Sequence, residues 1–338
     1  MGPGSYRPGA RGGGISKRRF LAYTEAVALT HEFAWSASRA RGFGECKRSH
    51  YYQYYGGWLG WDRDEPDERQ QTYRLGKLQR MPMLAGNVVH SCLARYFREK
   101  PRREMGAEEL SEMAADMLRK SFRESQEGLW RRSASKYTHL AEHHYQEDVV
   151  RDRAAVAEYG GRFVQRIRDC VQGFFESPDL AWVREAAPDT YVHVEEENSF
   201  DSFDFEGTKV FGIPDFAIQD GRGLVHLYDW KTGKPSKNDA FQLHVYAIYA
   251  GIEWEVPVER FRAYDAYLGS REVVACEITE KSLDEARARI RASIEAMREL
   301  HFNADEGMGD ATPFPRIPED SPEARTCRSC RFRELCER

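Results

Sequence analysis

The stretch Gly212-Ile-Pro-Asp-Phe-Ala-Ile-Gln-Asp-Gly-Arg-Gly-Leu-Val-His-Leu-Tyr-Asp-Trp-Lys-Thr-Gly233 decides the reading of this chain, together with Phe241-Gln-Leu-His-Val-Tyr-Ala-Ile-Tyr-Ala250 just after it. Two apolar runs joined by Asp220-Gly-Arg-Gly223 form a hairpin pattern. In the second run Val225, Leu227, Asp229 and Lys231 share one face, because successive side chains on a strand alternate. That face turns from apolar to ionic at its last two positions. Asp-x-Lys on a strand is, by itself, commonly a surface ion pair worth little. Here Asp215 closes the preceding strand behind Pro214, and Gln242 and Tyr246 lie four apart on one face of the following helix.

Asp215, a turn, Asp229-x-Lys231 and then Gln242-x-x-x-Tyr246 is an ordered set. It resembles the PD-(D/E)xK nuclease superfamily, and within it the RecB-type and CRISPR-associated exonuclease branch, whose last motif carries the Gln and Tyr. Upstream, Leu84-Ala-Gly-Asn-Val-Val-His-Ser-Cys-Leu-Ala-Arg-Tyr-Phe97 places Leu84, Val88, Leu93 and Phe97 at helical spacing, with His90 at the stripe's edge. A lone His there is ordinarily a core or boundary residue. The Gly86-x-x-x-His90 phrase, however, matches the family's first motif, where the histidine touches metal.

The resemblance implies an α/β fold: a restriction-endonuclease-like core with a mixed central sheet flanked by helices, a large helical insertion, and an iron–sulfur cluster joining the chain's two ends. It also implies Mg²⁺ or Mn²⁺ on His90, Asp215, Asp229 and the Trp230 carbonyl. Carboxylates are hard ligands suited to these ions, and a histidine nitrogen tilts preference toward Mn²⁺. Such an ion lowers the pKa of a water and draws charge from the scissile phosphate. Lys231 would orient that water and stabilise transition-state charge, with Gln242 and Tyr246 positioning the strand or the lysine. One departure is Asp229, where many members carry Glu.

The phrase Trp35-Ser36, Ser38-Arg39 and Phe43-Gly-Glu-Cys46, followed by paired tyrosines, resembles the opening of RecB-type nuclease domains, in which this cysteine is the first of four iron ligands. Taken alone, Cys46 reads as a structural thiol beside aromatic packing. Three more cysteines stand as Cys327-x2-Cys330-x5-Cys336. One early and three late is the arrangement of the iron-stapled branch that includes AddB. It implies a [4Fe–4S] cluster on Cys46, Cys327, Cys330 and Cys336, tying both ends of the chain to the core as a cross-link would. The rival is a structural zinc with His50 as a ligand, although such sites usually come as two close pairs. Cys92, Cys170 and Cys276 read as buried thiols.

With 338 residues, 41% of them hydrophobic and 31% charged, the chain can hold two domains or one elaborated domain. No run of 18 apolar residues occurs, so no membrane span is expected. The Gly-rich, basic residues 1–19 read as a flexible tail, not a signal peptide. Without a secretory signal, disulfides are not expected and a cytoplasmic location is. The net charge of −5 argues against a general nucleic-acid coat protein; phosphate binding would need basic residues clustered locally. The runs at 98–103 and at Arg131-Arg132 are candidates, though charge runs are commonly solvated faces.

Residues 20–41 read as helix then loop. The stripes Leu110, Met113, Met117, Leu118, Phe122 and Val156, Phe163, Ile167, Val171, Phe174 mark core-facing helices. His139, His143 and His144 have helical ligand spacing but no accompanying metalloprotease motif, and read as structural or DNA-facing. Strands are expected over 190–198 and 203–218, where one of Glu195, Glu196 and Glu197 would support the metal site. A hairpin is expected over 261–268 and 273–278. Ser282 with Glu285 reads as a capping box opening a helix that runs to about His301. The divisions are 1–19 (tail), 20–100 (N-terminal part), 101–185 (helical insertion), 186–301 (nuclease core) and 302–338 (linker and cysteine segment).

The expected function is a stand-alone metal-dependent DNase, an exonuclease on single-stranded or end-bearing DNA in recombination, repair or CRISPR-type defence. No Gly-x-x-x-x-Gly-Lys-Ser/Thr loop is present, so a helicase or other subunit would be supplied in trans. The alternative is a latent, non-catalytic module that binds DNA or a partner inside a larger complex.

Overall fold

The computed structural model describes residues 30–100, 103–195 and 201–338. The expectations for residues 1–29, for Pro101 and Arg102, and for Glu196 and Glu197 fall outside the described residues. In chain order the strands are Ala34–Ser36 (β1), Tyr191–Val194 (β2), Phe203–Phe205 (β3), Thr208–Phe211 (β4), Phe216–Gln219 (β5), Val225–Lys231 (β6), Phe261–Tyr267 (β7) and Glu272–Cys276 (β8). The helices are Ala37–Glu45 (α1), Lys47–Tyr51 (α2), Asp67–Gly76 (α3), Met81–Glu99 (α4), Ala107–Gln126 (α5), Ala141–His144 (α6), Arg153–Glu176 (α7), Ala181–Glu185 (α8), Asp239–Glu253 (α9) and Glu280–Arg298 (α10).

The main sheet has the order β2-β5-β6-β7-β8, and β1-β4-β3 form a smaller one. Strand β6 pairs antiparallel with β5 and parallel with β7. A parallel partner requires a crossover, and α9 supplies it. Alternation along β6 divides the core in two. Tyr228 and Trp230 join Phe97 of α4, Leu118 of α5 and Phe174 of α7 on one side. Val225 and Leu227 join Leu243 and Ala247 of α9 and Ile290 of α10 on the other. Phe97 stacks on Phe216 at 4.0 Å and 19°, part of a burial worth about 1.5–3 kcal/mol for one such ring. Segment 101–185 thus shares a core with the sheet. In α7 a Cβ at Gly173 would fall 1.8 Å from the Leu268 carbonyl oxygen, so only glycine permits this approach.

Four local expectations change. Ala34–Ser36 is a strand because it pairs in parallel with β4 from Lys209 to Phe211; Ser36 then caps α1. Asp215 stands before the first residue of its strand rather than at its end. The capping box of α10 is Thr279 with Ser282: the Thr279 hydroxyl accepts from the Ser282 amide at 3.1 Å, and the Ser282 hydroxyl accepts from the Thr279 amide at 3.0 Å. Thr279 rather than Ser282 has the extended backbone a cap needs, so the helix starts earlier. Cys276 is only half-buried, because β8 is an edge strand, and its sulfur lies 3.6 Å from His244 Nε2.

Candidate active site

Four neighbouring strands each bring one acid to the same level of the main sheet. Asp229 on β6 is in register with Asp265 on β7. Phe216 opposes Tyr228, so continuing that pairing by one residue sets Asp215 across from Asp229. Val194 opposes Phe216, and one residue on, the Glu195 amide donates to the Asp215 carbonyl at 2.9 Å. Glu195, Asp215, Asp229 and Asp265 therefore form a row across β2, β5, β6 and β7. Where the β5–β6 ladder ends, the backbone N–H of Trp230 donates to Asp215 Oδ2 at 2.7 Å.

His90 comes to this row from α4, its Nδ1 3.3 Å from Asp215 Oδ2. One turn earlier, a Cβ at Gly86 would meet Thr232 Oγ1 at 3.1 Å, so the glycine lets α4 lie against the segment just after Lys231. Ligand atoms of His90, Glu195 and Asp215 all lie within 4.8 Å of one another. An imidazole with two carboxylates fits a divalent ion of the Mg²⁺ or Mn²⁺ kind, making this a candidate metal site.

Lys231 ends β6 and is ion-paired to Asp229. Its ammonium also lies 3.1 Å from Gln242 Oε1, 3.6 Å from Asp265 and 3.7 Å from Asp239. The Gln242 oxygen must face the ammonium, which has only donors. The Gln242 amide nitrogen then donates to Asp229 Oδ1 at 3.0 Å and to the Tyr246 hydroxyl at 2.5 Å, while that hydroxyl donates to Asp229 Oδ1 at 2.8 Å. Helix α9 thus orients Asp229 and holds the lysine with two side chains one turn apart. Asp239, at the start of α9, is fixed by the Tyr267 hydroxyl at 2.8 Å and the Ser236 amide at 2.7 Å.

Acids outnumber cations here, and the titrations follow. Burial, then the charge of Asp215, lifts Asp229 to about 6 against the pull of Lys231. The same two causes raise Glu195 to about 7. Burial raises Asp265 to about 7, with Asp229 and Asp239 adding to it and Lys231 opposing. Burial works against a charged His90, but Asp215 above all outweighs it and brings the ring up to about 9. A divalent ion would compete with that proton for the same nitrogen.

Over Glu195, Gln242 and Tyr246 opens a cleft of about 1120 Å³, with Arg39, Lys136 and Arg289 in its walls. These cations come from distant parts of the chain. In the basic run at 98–103, Arg103 instead pairs with Glu99 and Glu109, both at 2.9 Å, and Lys100 donates to the Ala186 carbonyl at 2.9 Å. Arg131 lies over the Trp130 ring at 4.4 Å. The three clustered histidines do not present one ligand face. His143 meets Ser125 at 2.8 Å, while His139 and His144 face each other at 3.1 Å and His144 reaches Glu334 at 2.9 Å.

Asp265 and Asp239 escaped the sequence reading. The available signal for Asp265 was a lone acid inside an otherwise apolar and aromatic strand.

Cys46, Cys327, Cys330 and Cys336 line one small cavity of about 20 Å³ with Tyr52 and Phe332 among its walls. Among the described residues, no three of these sulfurs lie within 4.8 Å of one another. His50 lines a different cavity, its ring against Phe43 at 5.1 Å and Tyr54 at 4.7 Å. It is therefore not placed as a fifth member of the cysteine set.

The row of carboxylates across neighbouring strands thus carries a lysine two residues after one of its acids. The family model of the PD-(D/E)XK nuclease superfamily matches residues 34–337, and the chain belongs to that superfamily. No curated protein sequence matches the chain. Among the described residues no helix is long and apolar enough to cross a membrane.

Proposed function

We propose that the protein is a metal-dependent DNA nuclease of the RecB-like type, acting as an exonuclease on single-stranded or end-bearing DNA. The observation that carries this reading is the Lys231–Asp229 ion pair standing beside the His90, Glu195 and Asp215 set. In this reading His90, Asp215, Asp229 and the Trp230 carbonyl hold Mg²⁺ or Mn²⁺, with Glu195 beside them. The ion would acidify a water and take up charge from the phosphate. Lys231 orients the attacking water and offsets charge on the phosphate oxygens. Gln242 and Tyr246 keep Asp229 and the lysine in place, and Arg39, Lys136 and Arg289 attract the DNA backbone. A helicase or other subunit acts in trans where unwinding is needed, in recombination, repair or defence in the cytoplasm.

The same reading includes a [4Fe–4S] cluster on Cys46, Cys327, Cys330 and Cys336. What supports a shared cluster is that all four cysteines line one small cavity. Brown protein with broad visible absorption supports iron; colourless protein with stoichiometric zinc refutes it.

The test of the nuclease is incubation with end-labelled single- and double-stranded DNA, linear and circular, in Mg²⁺ and in Mn²⁺. Digestion from ends is expected, with circles spared. Lys231→Ala should be silent, and Lys231→Arg, which keeps the charge facing Asp229, Asp239 and Asp265, should be silent yet folded. Undiminished cutting by both variants, or no metal-dependent cutting by the natural protein, overturns the assignment.

A further inference from the structure

A second cavity, of about 190 Å³, lies beside the catalytic cleft and shares two wall residues with it, Arg39 and Tyr54. A dry cavity of about 150 Å³ is enough for a benzene ring, so this one is of a size for a single heterocycle. Its rim is aromatic. Trp61, 42% exposed, meets Trp58 edge-on at 5.0 Å and Tyr73 at 5.7 Å, and Lys77 sits over Tyr73 at 4.7 Å. The wall that carries Tyr54 and Tyr55 is a π-helical turn, Tyr52–Gly56, a rare form that recurs at functional sites.

Arg39 and Lys77 bring positive charge to the same lining. The lining therefore suits a flat aromatic ring attached to an anion. A nucleobase on a phosphate chain has both properties.

We propose that this cavity receives one unstacked base of single-stranded DNA, next to the nucleotide whose phosphate lies in the catalytic cleft. The identity of the ligand rests on the nuclease reading of that cleft. Paired bases cannot enter, because their edges and faces are already engaged in the duplex. The pocket thus gives the site a preference for single strands, and Arg39 forms the partition between base and phosphate.

The test is equilibrium binding of the full-length protein without divalent metal, so that no cleavage intervenes, at one fixed salt concentration. The probes are a fluorescein-labelled mixed-sequence single-stranded oligonucleotide, the same oligonucleotide made wholly abasic, and its duplex. Trp61→Ala should weaken single-strand binding about tenfold, the scale of one lost stacking contact. Trp61→Phe should restore most of it, and duplex binding should not change. The abasic strand should bind the natural protein no better than the intact strand binds Trp61→Ala. Equal single-strand affinity for natural protein and variant, or an equal loss on duplex, overturns the pocket. If binding behaves as expected but no metal-dependent cutting is ever seen, the nuclease reading fails while the pocket stands.

Discussion

The carboxylate row hangs on a sheet whose strands are paired residue by residue, and its counter-charges, Lys231 and His90, are already in place. The cysteine cavity is walled by α2 and by two 3-10 segments, Pro322–Ser329 and Arg333–Cys336, that bury no residue of their own. Phe332 between them is their anchor, packed on Tyr52 at 5.4 Å, and the Tyr52 hydroxyl donates to the Leu335 carbonyl at 3.2 Å. A site on a hydrogen-bonded sheet keeps its shape without an ion. One made of short turns gains order from whatever its thiols bind. Under the proposed function, loss of metal should therefore cost the first region its chemistry and the second its structure.

The sharpest way to break that contrast is Asp215→Asn. It keeps an acceptor for the Trp230 amide but removes a charge from the row, so cleavage should fall by roughly 10²–10³-fold, as for loss of one preorganised transition-state contact. The melting temperature should move by no more than about 2–4 °C, equivalent to 1 kcal/mol or less. A collapsed melting curve would show that the sheet site is not self-supporting.

Cys330→Ser should do the reverse. Stability should drop by about 2–5 kcal/mol, the range for loss of a cross-link, with bleaching of any visible absorption. Residual cleavage by whatever protein remains folded should be close to normal. Unchanged denaturation would remove the cysteine set from any structural role.

A smaller effect concerns acid, at the junction where His139 and His144 tie α6 to Glu334. Burial lowers His139 from 6.5 to about 3. The unfolded chain therefore takes up its proton first, and the His139 contribution is complete above pH 6.5 and fades as pH falls toward 3. The slope is at most about 1.4 kcal/mol per pH unit. His139→Asn should flatten the stability profile between pH 6 and 4 relative to the natural protein; identical slopes would contradict this.

The mildest change is Asp265→Asn. Asp265 titrates near 7, so its amide resembles a form already populated. Cleavage should change only a few-fold, with the pH profile shifting rather than the maximum rate disappearing. Loss as deep as that of Asp215→Asn would make Asp265 a full member of the metal set.

The local patterns of β6 and α9 were legible because each needs only a period: two for Val225, Leu227, Asp229 and Lys231, and four for Gln242 and Tyr246. His90 was legible through its Gly86 partner on one helix. Asp265 was not, because its nearness to Asp229 depends on a parallel pairing 36 positions away in the chain. Arg39, Lys136 and Arg289 were missed for the same reason: no local run marks them, whereas in the conspicuous run at 98–103 Arg103 is taken up by Glu99 and Glu109.

By itself the sequence determined the superfamily, the order of the acids and lysine, and the faces on which neighbours in one element lie, since these follow from backbone periodicity. Strand register, the four-acid row, the cations of the cleft and the aromatic cavity were decided only by tertiary structure. They depend on which distant segments pack together, and packing rewards total burial and pairing rather than any short-range pattern.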